Sequence, residues 1–411
     1  MIEDDSGHCD LFTVARSILV REKALGFAGP DPYDGLNSRL LRPPFSRSRT
    51  VRLAVIQAVK RSPFNLRRIL LIPPGLNPKG LALILSGLCD LPGADSDPSS
   101  IPFLQDTLIK ATRRSDGSPL FPEILEGPGI DGLSVPADAE VGWGYDFPWQ
   151  GKAFFQPAGF PTVVCTSFVI DSLCDSGSML AEDLLGASER FVTHSLRRYE
   201  CDDGVCYSYS PTDGTRVYNA SLFAAKILAR SCSVCGGDTA ALESEASAIA
   251  DFVVSRQSVD GSWVYGEANY WQWVDNLHTG FILETLMHLR ERLGRTDWDE
   301  AISRGLEFYS GKLFMADGTA LYYPGRPFPA DPHCFAQGAL TWIAAGRNGF
   351  KVHVEPERIV HRAVDLLWDG RNSGFRLIRF RHDPSRTVYS RWSQAWMFRA
   401  IAALLKAGRK S

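Results

Sequence analysis
The chain has 411 residues, of which 45% are hydrophobic and 22% charged, and its formal net charge is −3. That balance is ordinary for a soluble globular protein and provides no overall basic field to recruit nucleic acid. No apolar run approaches the roughly 20 residues of a membrane helix, and the acidic start Met1-Ile-Glu-Asp-Asp5 lacks the order of a secretion signal, so the chain reads as cytoplasmic.

Residues 1–48 are punctuated by Pro and Gly and read as an N-terminal arm; Asp31-Pro-Tyr-Asp-Gly-Leu-Asn-Ser38 is their most distinctive stretch. From residue 49 onward, apolar residues recur with the 3.6-residue period of helices in twelve stretches. Those at about 50–71, 99–114, 179–199, 238–257, 297–313 and 355–368 are amphipathic and charged on one side. Those at about 78–89, 162–175, 217–231, 277–290, 333–346 and 391–406 are richer in Ala, Leu and small residues. Two concentric layers need this alternation, because inner helices are covered on every side while outer ones bury one stripe. The segment 115–160 breaks the series; its length and Pro/Gly content predict a functional insertion. Among nine cysteines, Cys165, Cys174 and Cys334 lie in apolar helices and read as small core residues. Cys232-Ser-Val-Cys235 is half of a zinc or redox site with no completing pair, which predicts neither zinc nor a disulfide there.

Asp-Gly recurs at Asp203-Gly204, Asp260-Gly261, Asp317-Gly318 and Asp369-Gly370, at intervals of 57, 57 and 52 residues. Each pair is followed within six positions by an aromatic (Tyr207, Trp263, Tyr322, Phe375), then by a polar loop and an apolar helix. A period above fifty residues with one turn and two helices predicts stacked helical hairpins, and six pairs suffice to close a ring. The predicted fold is an all-α (α/α)6 toroid over residues 49–411. Loops leading into the apolar helices are long and polar, whereas returns such as Glu291–Thr296 and Ala345–His353 are short. One rim is therefore elaborated and should carry the site.

Gln257-Ser-Val-Asp-Gly-Ser-Trp263 resembles the Gln-x-x-x-Gly-x-Trp motif of squalene-hopene cyclases and their relatives. The resemblance implies an α/α toroid, a fold shared with protein prenyltransferases and many carbohydrate-active enzymes. A second resemblance spans most of the chain. It is carried by Asp31–Ser38, Trp143-Gly-Tyr-Asp-Phe-Pro-Trp149, Val274-Asp-Asn-Leu-His-Thr-Gly280, Asp331-Pro-His-Cys-Phe-Ala-Gln337 and Arg391-Trp-Ser-Gln-Ala-Trp396. These are similar to a bacterial family often found beside polysaccharide-biosynthesis genes, which implies a glycan-related role.

The starts of the apolar helices hold groups unsuited to a core: Asn219, Asp275-Asn276 with His278, Asp331 with His333, and Arg391 with Gln394. In a ring these starts converge on one axis, where free helix N–H groups favour anionic or hydroxyl-rich ligands. Asp275 and Asp331 are equally suited to capping their helices. Gln337, one turn into its helix, needs partners if buried and suggests a wet pocket. Trp143, Tyr145, Phe147 and Trp149 alternate in one loop; Tyr270, Trp271 and Trp273 crowd another, beside Asp146 and Glu267. Flat rings among carboxylates and amides suit a sugar and would equally shield a carbocation.

The expected catalytic groups are Asp146, Tyr270, Asp275, His278 and His333. Trp143, Trp149, Glu267, Trp271, Asn276, Asp331, Gln337, Arg391 and Gln394 are expected to bind substrate. No cofactor or metal is expected, and the partner is an oligosaccharide or polysaccharide. Glycoside hydrolysis needs two carboxylates across a cleft. Uronate epimerisation or elimination needs a base plus neutralisation of the substrate carboxylate, for which His, Tyr and Arg are present. Terpene or prenyl-type cyclisation lacks a dense Asp cluster here. A non-catalytic glycan-binding component of an assembly system would keep the aromatics and need no acid–base pair.

Overall fold
The computed structural model describes residues 10–91, 99–124, 130, 132–151, 154–232 and 238–409. In chain order its helices are α1 (Leu11–Ala24), α2 (Arg49–Arg61), α3 (Pro78–Asp90), α4 (Ser100–Lys110), α5 (Val163–Asp175) and α6 (Ala181–Arg190). They continue with α7 (Tyr218–Ser231), α8 (Thr239–Ser255), α9 (Asn276–Leu293), α10 (Asp299–Leu313), α11 (Pro332–Arg347), α12 (Pro356–Leu367) and α13 (Trp396–Gly408).

Six of them form a closed inner ring. The helices α3, α5, α7, α9, α11 and α13 each touch the next, and α13 returns to α3. Their sequences explain the place. In α3 Leu81, Ala82, Leu83, Ile84, Leu85 and Leu88 are all buried, so no face is left for solvent. The outer helices are striped: α12 buries Ile359, Val360, Ala363, Val364 and Leu367 along one side. Between the inner helices stand α4, α6, α8, α10 and α12, with α6 bridging α5 and α7, α8 bridging α7 and α9, and α12 bridging α11 and α13. The molecule is an all-α toroid of outer-then-inner hairpins.

The Asp-Gly turns explain the repeat. Gly261 has φ +88, and a Cβ there would lie 2.4 Å from the carbonyl oxygen of Arg304 on the next outer helix. Gly204 is pressed in the same way on Ala248 of α8. Only glycine takes both the backbone angle and the close approach. The following aromatic, Trp263, is buried and donates from Nε1 to Val253 O at 2.8 Å.

One element departs from expectation. The amphipathic helix α1 lies inside the segment read as an arm and packs on α13. The helix expected at 50–71 is shorter, buries only Ile56 and Val59, and packs on the rim segments around 34–37, 45–47 and 149–150. The apolar stripe of α1 (Leu11, Val14, Ala15, Ile18, Leu19) and its Asp10 cap gave it the better claim to the outer layer.

The two rims differ. Two-residue ribbons pair Arg113–Arg114 with Val141–Gly142, Trp149–Gln150 with Phe155–Gln156, and Trp368–Asp369 with Gly374–Phe375. A longer one pairs Arg198–Cys201 with Gly204–Tyr207. All four lie in connections from an outer to an inner helix. Cys235 lies outside the described residues; among these, no group of three or more His, Cys, Asp or Glu is placed to hold a metal. Among the described residues, no helix is long and apolar enough to cross a membrane.

Candidate functional site
The starts of all six inner helices meet at the elaborated rim. Side-chain caps set several of these starts: Asn77 accepts from Gly80 N, Thr162 from Cys165 N, Asp275 from His278 N and Asp331 from His333 N. Before α13 the chain runs through a turn of π-helix, Ser390–Ala395, whose widened register turns both Arg391 and Trp392 toward the axis. The result is a cavity of about 400 Å³, reached by Lys79, Asn219, Asp275, His278, His333 and Arg391.

Asp275 and His278 form a dyad. Nδ1 of His278 lies 2.8 Å from Oδ2 of Asp275, and the indole Nε1 of Trp273 donates to the same carboxylate at 3.2 Å. Burial alone would raise the Asp275 carboxyl, but the His278 ring and N–H and the Trp273 indole bring it below its ordinary value. A carboxylate on Nδ1 fixes the tautomer and leaves Nε2 as the basic nitrogen of the neutral ring.

His333 is arranged differently. Its ring stacks on Trp396 at 4.2 Å and meets Trp392 edge-on at 4.8 Å, and neither ring nitrogen has a hydrogen-bond partner. Burial holds it well below the usual imidazole range, so it is neutral at pH 7. Phe281 stands between the two histidines, with centroids 6.1 Å from His278 and 5.9 Å from His333.

The floor is aromatic. Phe168, Phe223, Phe281 and Trp396, from four inner helices, are linked by five ring contacts at centroid distances of 5.2–6.1 Å, with Phe168 and Phe281 each touching the other three. The Nζ of Lys79 sits 4.2 Å above the Phe168 ring and close to Phe281 and Trp396. Burial, with Arg391 nearby, depresses the Lys79 ammonium to about 7. Beneath this floor, at the plain rim, a second cavity of about 360 Å³ is lined by Lys226, Glu284, His288 and Arg347 among others.

Trp149, Trp271 and Arg391 line the upper cavity with the two histidines and Asp275. Arg391 is already held by Asp31, through Nε–Oδ2 at 2.5 Å and Nη2–Oδ1 at 2.8 Å. Other expected site residues stand elsewhere. Trp143 is wholly buried and donates to Leu108 O, and Asn276 is buried between Leu313 O and the Tyr309 hydroxyl. Gln337 binds Glu284, Gln394 binds Phe375 O, and Glu267 is paired with Arg216 and Arg256. Tyr270 points outward from a one-turn segment whose next residue, Trp271, lines the cavity. Asp146 lies behind the wall, bonded to Asn77, and burial raises its carboxyl to about 6. Asp331 caps α11 and anchors Trp392 through its indole at 3.0 Å, and burial raises it to about 6 as well.

Lys79 was missed from sequence, and a signal for it existed. Asn77-Pro78-Lys79 repeats the cap, proline and polar side chain of Asp331-Pro332-His333 at the equivalent helix start. Tyr33 and Lys60, joined by a 2.6 Å hydrogen bond, also line the cavity from the N-terminal segments.

No protein-family model matches the sequence, and no curated protein is detectably similar to it. Among solved structures, the cellobiose 2-epimerase of Bacillus thermoamylovorans superposes with a TM-score of 0.57 at 9% identity, over 80% of this chain and 87% of that one. An inactive α-1,6-mannanase variant of Salegentibacter, in complex with α-1,6-mannotriose, gives a TM-score of 0.53 at 9% identity, over 96% of this chain and 100% of that one. An ent-copalyl diphosphate synthase of Streptomyces platensis gives 0.48 at 13% identity, over 95% of this chain and 67% of that one. At such identities the likeness to the epimerase and the mannanase establishes the toroid fold alone.

Proposed function
We propose that the upper cavity takes an acidic sugar of a glycan and moves the proton on the carbon beside its carboxylate, giving epimerisation or elimination. The observation that carries this reading is the pair of unlike histidines flanking Phe281, one buttressed by Asp275 and one neutral and unpartnered, above an ammonium with no carboxylate on it. His333, as free base, removes the proton, and the electron pair moves into the substrate carboxylate. Lys79 faces the charge that develops there. With His278 in its protonated form, return of its Nε2 proton to the other face of the carbon inverts the centre. In elimination the same proton goes instead to the departing oxygen as the neighbouring C–O bond breaks, leaving an unsaturated sugar and a free hydroxyl.

Hydrolysis is less well supported, because Asp275 is the sole carboxylate among the described residues lining the cavity. One observation favours a second reading. Thirteen of the twenty-five lining residues are Phe, Tyr or Trp, as a cyclase shielding a carbocation would use. Against it, Asp275 is tilted toward its anionic form, the wrong direction for protonating an alkene.

The test is solvent exchange. The protein is incubated in D2O with a panel of uronate-containing oligosaccharides, and deuterium at the carbon beside the carboxylate is read by mass spectrometry and NMR. Exchange that disappears in His333→Ala and His278→Ala supports the reading. Cyclisation of a polyprenyl substrate with no exchange on any uronate overturns it.

A further inference from the structure
Between Asp34 and Asp90 the chain carries ten basic residues and no acidic one, in a protein whose net charge is −3. Six of the arginines, Arg39, Arg42, Arg47, Arg49, Arg61 and Arg68, are exposed. Large apolar side chains are exposed among them: Leu40 at 57%, Phe45 at 65%, Phe64 at 72%, Ile69 at 71% and Leu71 at 52%. Parts of this stretch lie side by side. Ser38 Oγ donates to Leu70 O at 2.6 Å and Arg39 N to Leu71 O at 3.4 Å, which lays the strip carrying Leu40 beside Ile69 and Leu71. From the C-terminal part of the chain, Arg379 Nε donates to Lys60 O at 2.9 Å and adds exposed Phe380 and Arg381 to the same edge.

The surface borders the cavity mouth. Lys60, near the end of α2, lines the cavity, and Arg52 of α2 lies 4.2 Å over the ring of Phe155 in the hairpin that supplies Trp149 and Phe154 to the wall. We propose that this surface docks the protein onto an anionic lipid bilayer. The exposed Leu, Ile and Phe side chains enter the headgroup layer, the arginines meet headgroup phosphates, and the cavity mouth is held close to the membrane. Charge alone would suit any polyanion. The apolar side chains decide for lipid, because phosphate-backbone recognition needs cations and has no use for exposed Phe and Ile. The proposal does not depend on the chemistry assigned to the cavity.

The test is vesicle flotation of the full chain, with phosphatidylcholine vesicles compared against phosphatidylcholine–phosphatidylglycerol vesicles. Partition onto the anionic vesicles is expected, weakened by salt and negligible on the zwitterionic ones. Reversing three charges (Arg47→Glu, Arg61→Glu, Arg68→Glu) is expected to lower it by on the order of a hundredfold or more. Removing two anchors (Phe64→Ser, Ile69→Ser) should weaken it as well, while circular dichroism and the thermal transition of both variants remain those of the parent. The proposal is overturned if neither vesicle is bound. It is equally overturned if the protein binds duplex DNA or an acidic polysaccharide as tightly as anionic vesicles, through the arginines alone, with the Phe64/Ile69 variant unaffected. His278→Ala, in the cavity, should leave partition unchanged whatever its effect on turnover, so that failure here and failure of the acid–base reading are told apart.

Discussion

At the level of single residues, the cavity is defined by which polar groups are paired and which are not. Arg391 is an abundant charge already matched by Asp31, whereas the Lys79 ammonium lies over aromatic rings and neither ring nitrogen of His333 has a hydrogen-bond partner. Replacing His333 or His278 by Ala is expected to lower turnover by about a hundredfold or more with little change in KM, because proton transfer and not binding is lost; steady-state kinetics on an active uronate checks this. Asp275→Asn should fall in the same range, since the amide no longer holds the His278 tautomer. Lys79 predicts a pH dependence with a definite sign. Its ammonium is depressed to about 7, so the cavity floor carries that charge below this pH and loses it above. Affinity for an anionic ligand should therefore fall as pH rises through about 7, and Lys79→Met should bind weakly with a flat profile. Stability runs the other way. Between about 7 and about 10 the unfolded chain holds a proton that the folded one has lost, so wild-type stability rises with pH across that window. Lys79→Met, free of the buried charge, should be more stable than wild type at pH 6 by denaturant titration, and the gap should narrow by pH 9.

At the level of elements, close approach between inner helices rests on small residues. A Cβ at Gly280 of α9 would lie 2.6 Å from Gln337 Cγ and 2.8 Å from the Tyr309 hydroxyl. Gly280→Ala is expected to cost about 1–3 kcal/mol in chemical denaturation, because α11 and α10 must both give way. Gly311→Ala in α10, where a Cβ meets nothing within 4 Å, should instead stabilise by about 0.5–1 kcal/mol. The same small-residue logic explains what could be read in advance. The Asp-Gly turns announced the hairpins because Gly204, Gly261 and Gly318 answer one recurring constraint, contact with the next outer helix, which Gly370 in the last turn does not share. The helix α1 has no such turn, and its stripe is hidden by the Pro- and Gly-rich run that follows it. At the site, helix starts located Asp275, His278 and His333 at the cavity. They did not separate Gln337, Gln394 and Asn276, whose amides satisfy neighbouring backbone and side-chain groups, because one-residue differences in facing are set by packing. Tyr270 and Trp271, adjacent and opposite, are the plainest instance.

At the level of the whole molecule, closure distinguishes this ring from an open stack of hairpins. α13 is the wedge that joins α11 to α3, and Asp90 at the end of α3 is bonded to both Arg399 and Lys406. Truncation after Val388 should therefore abolish the cooperative thermal transition, where an open solenoid would lose only the share of its last repeat. Scanning calorimetry of the shortened chain decides between them. The four-ring plug of Phe168, Phe223, Phe281 and Trp396 has a last consequence, for traffic. A toroid without it would be a tunnel, and a long polymer could thread through and be worked on continuously. With the axis stoppered, the upper cavity is a cul-de-sac: whatever goes in must back out by the same door. On the glycan reading proposed above, such a chamber would act on a chain's terminus or on a short unit, release it, and start again, so its products should appear one encounter at a time.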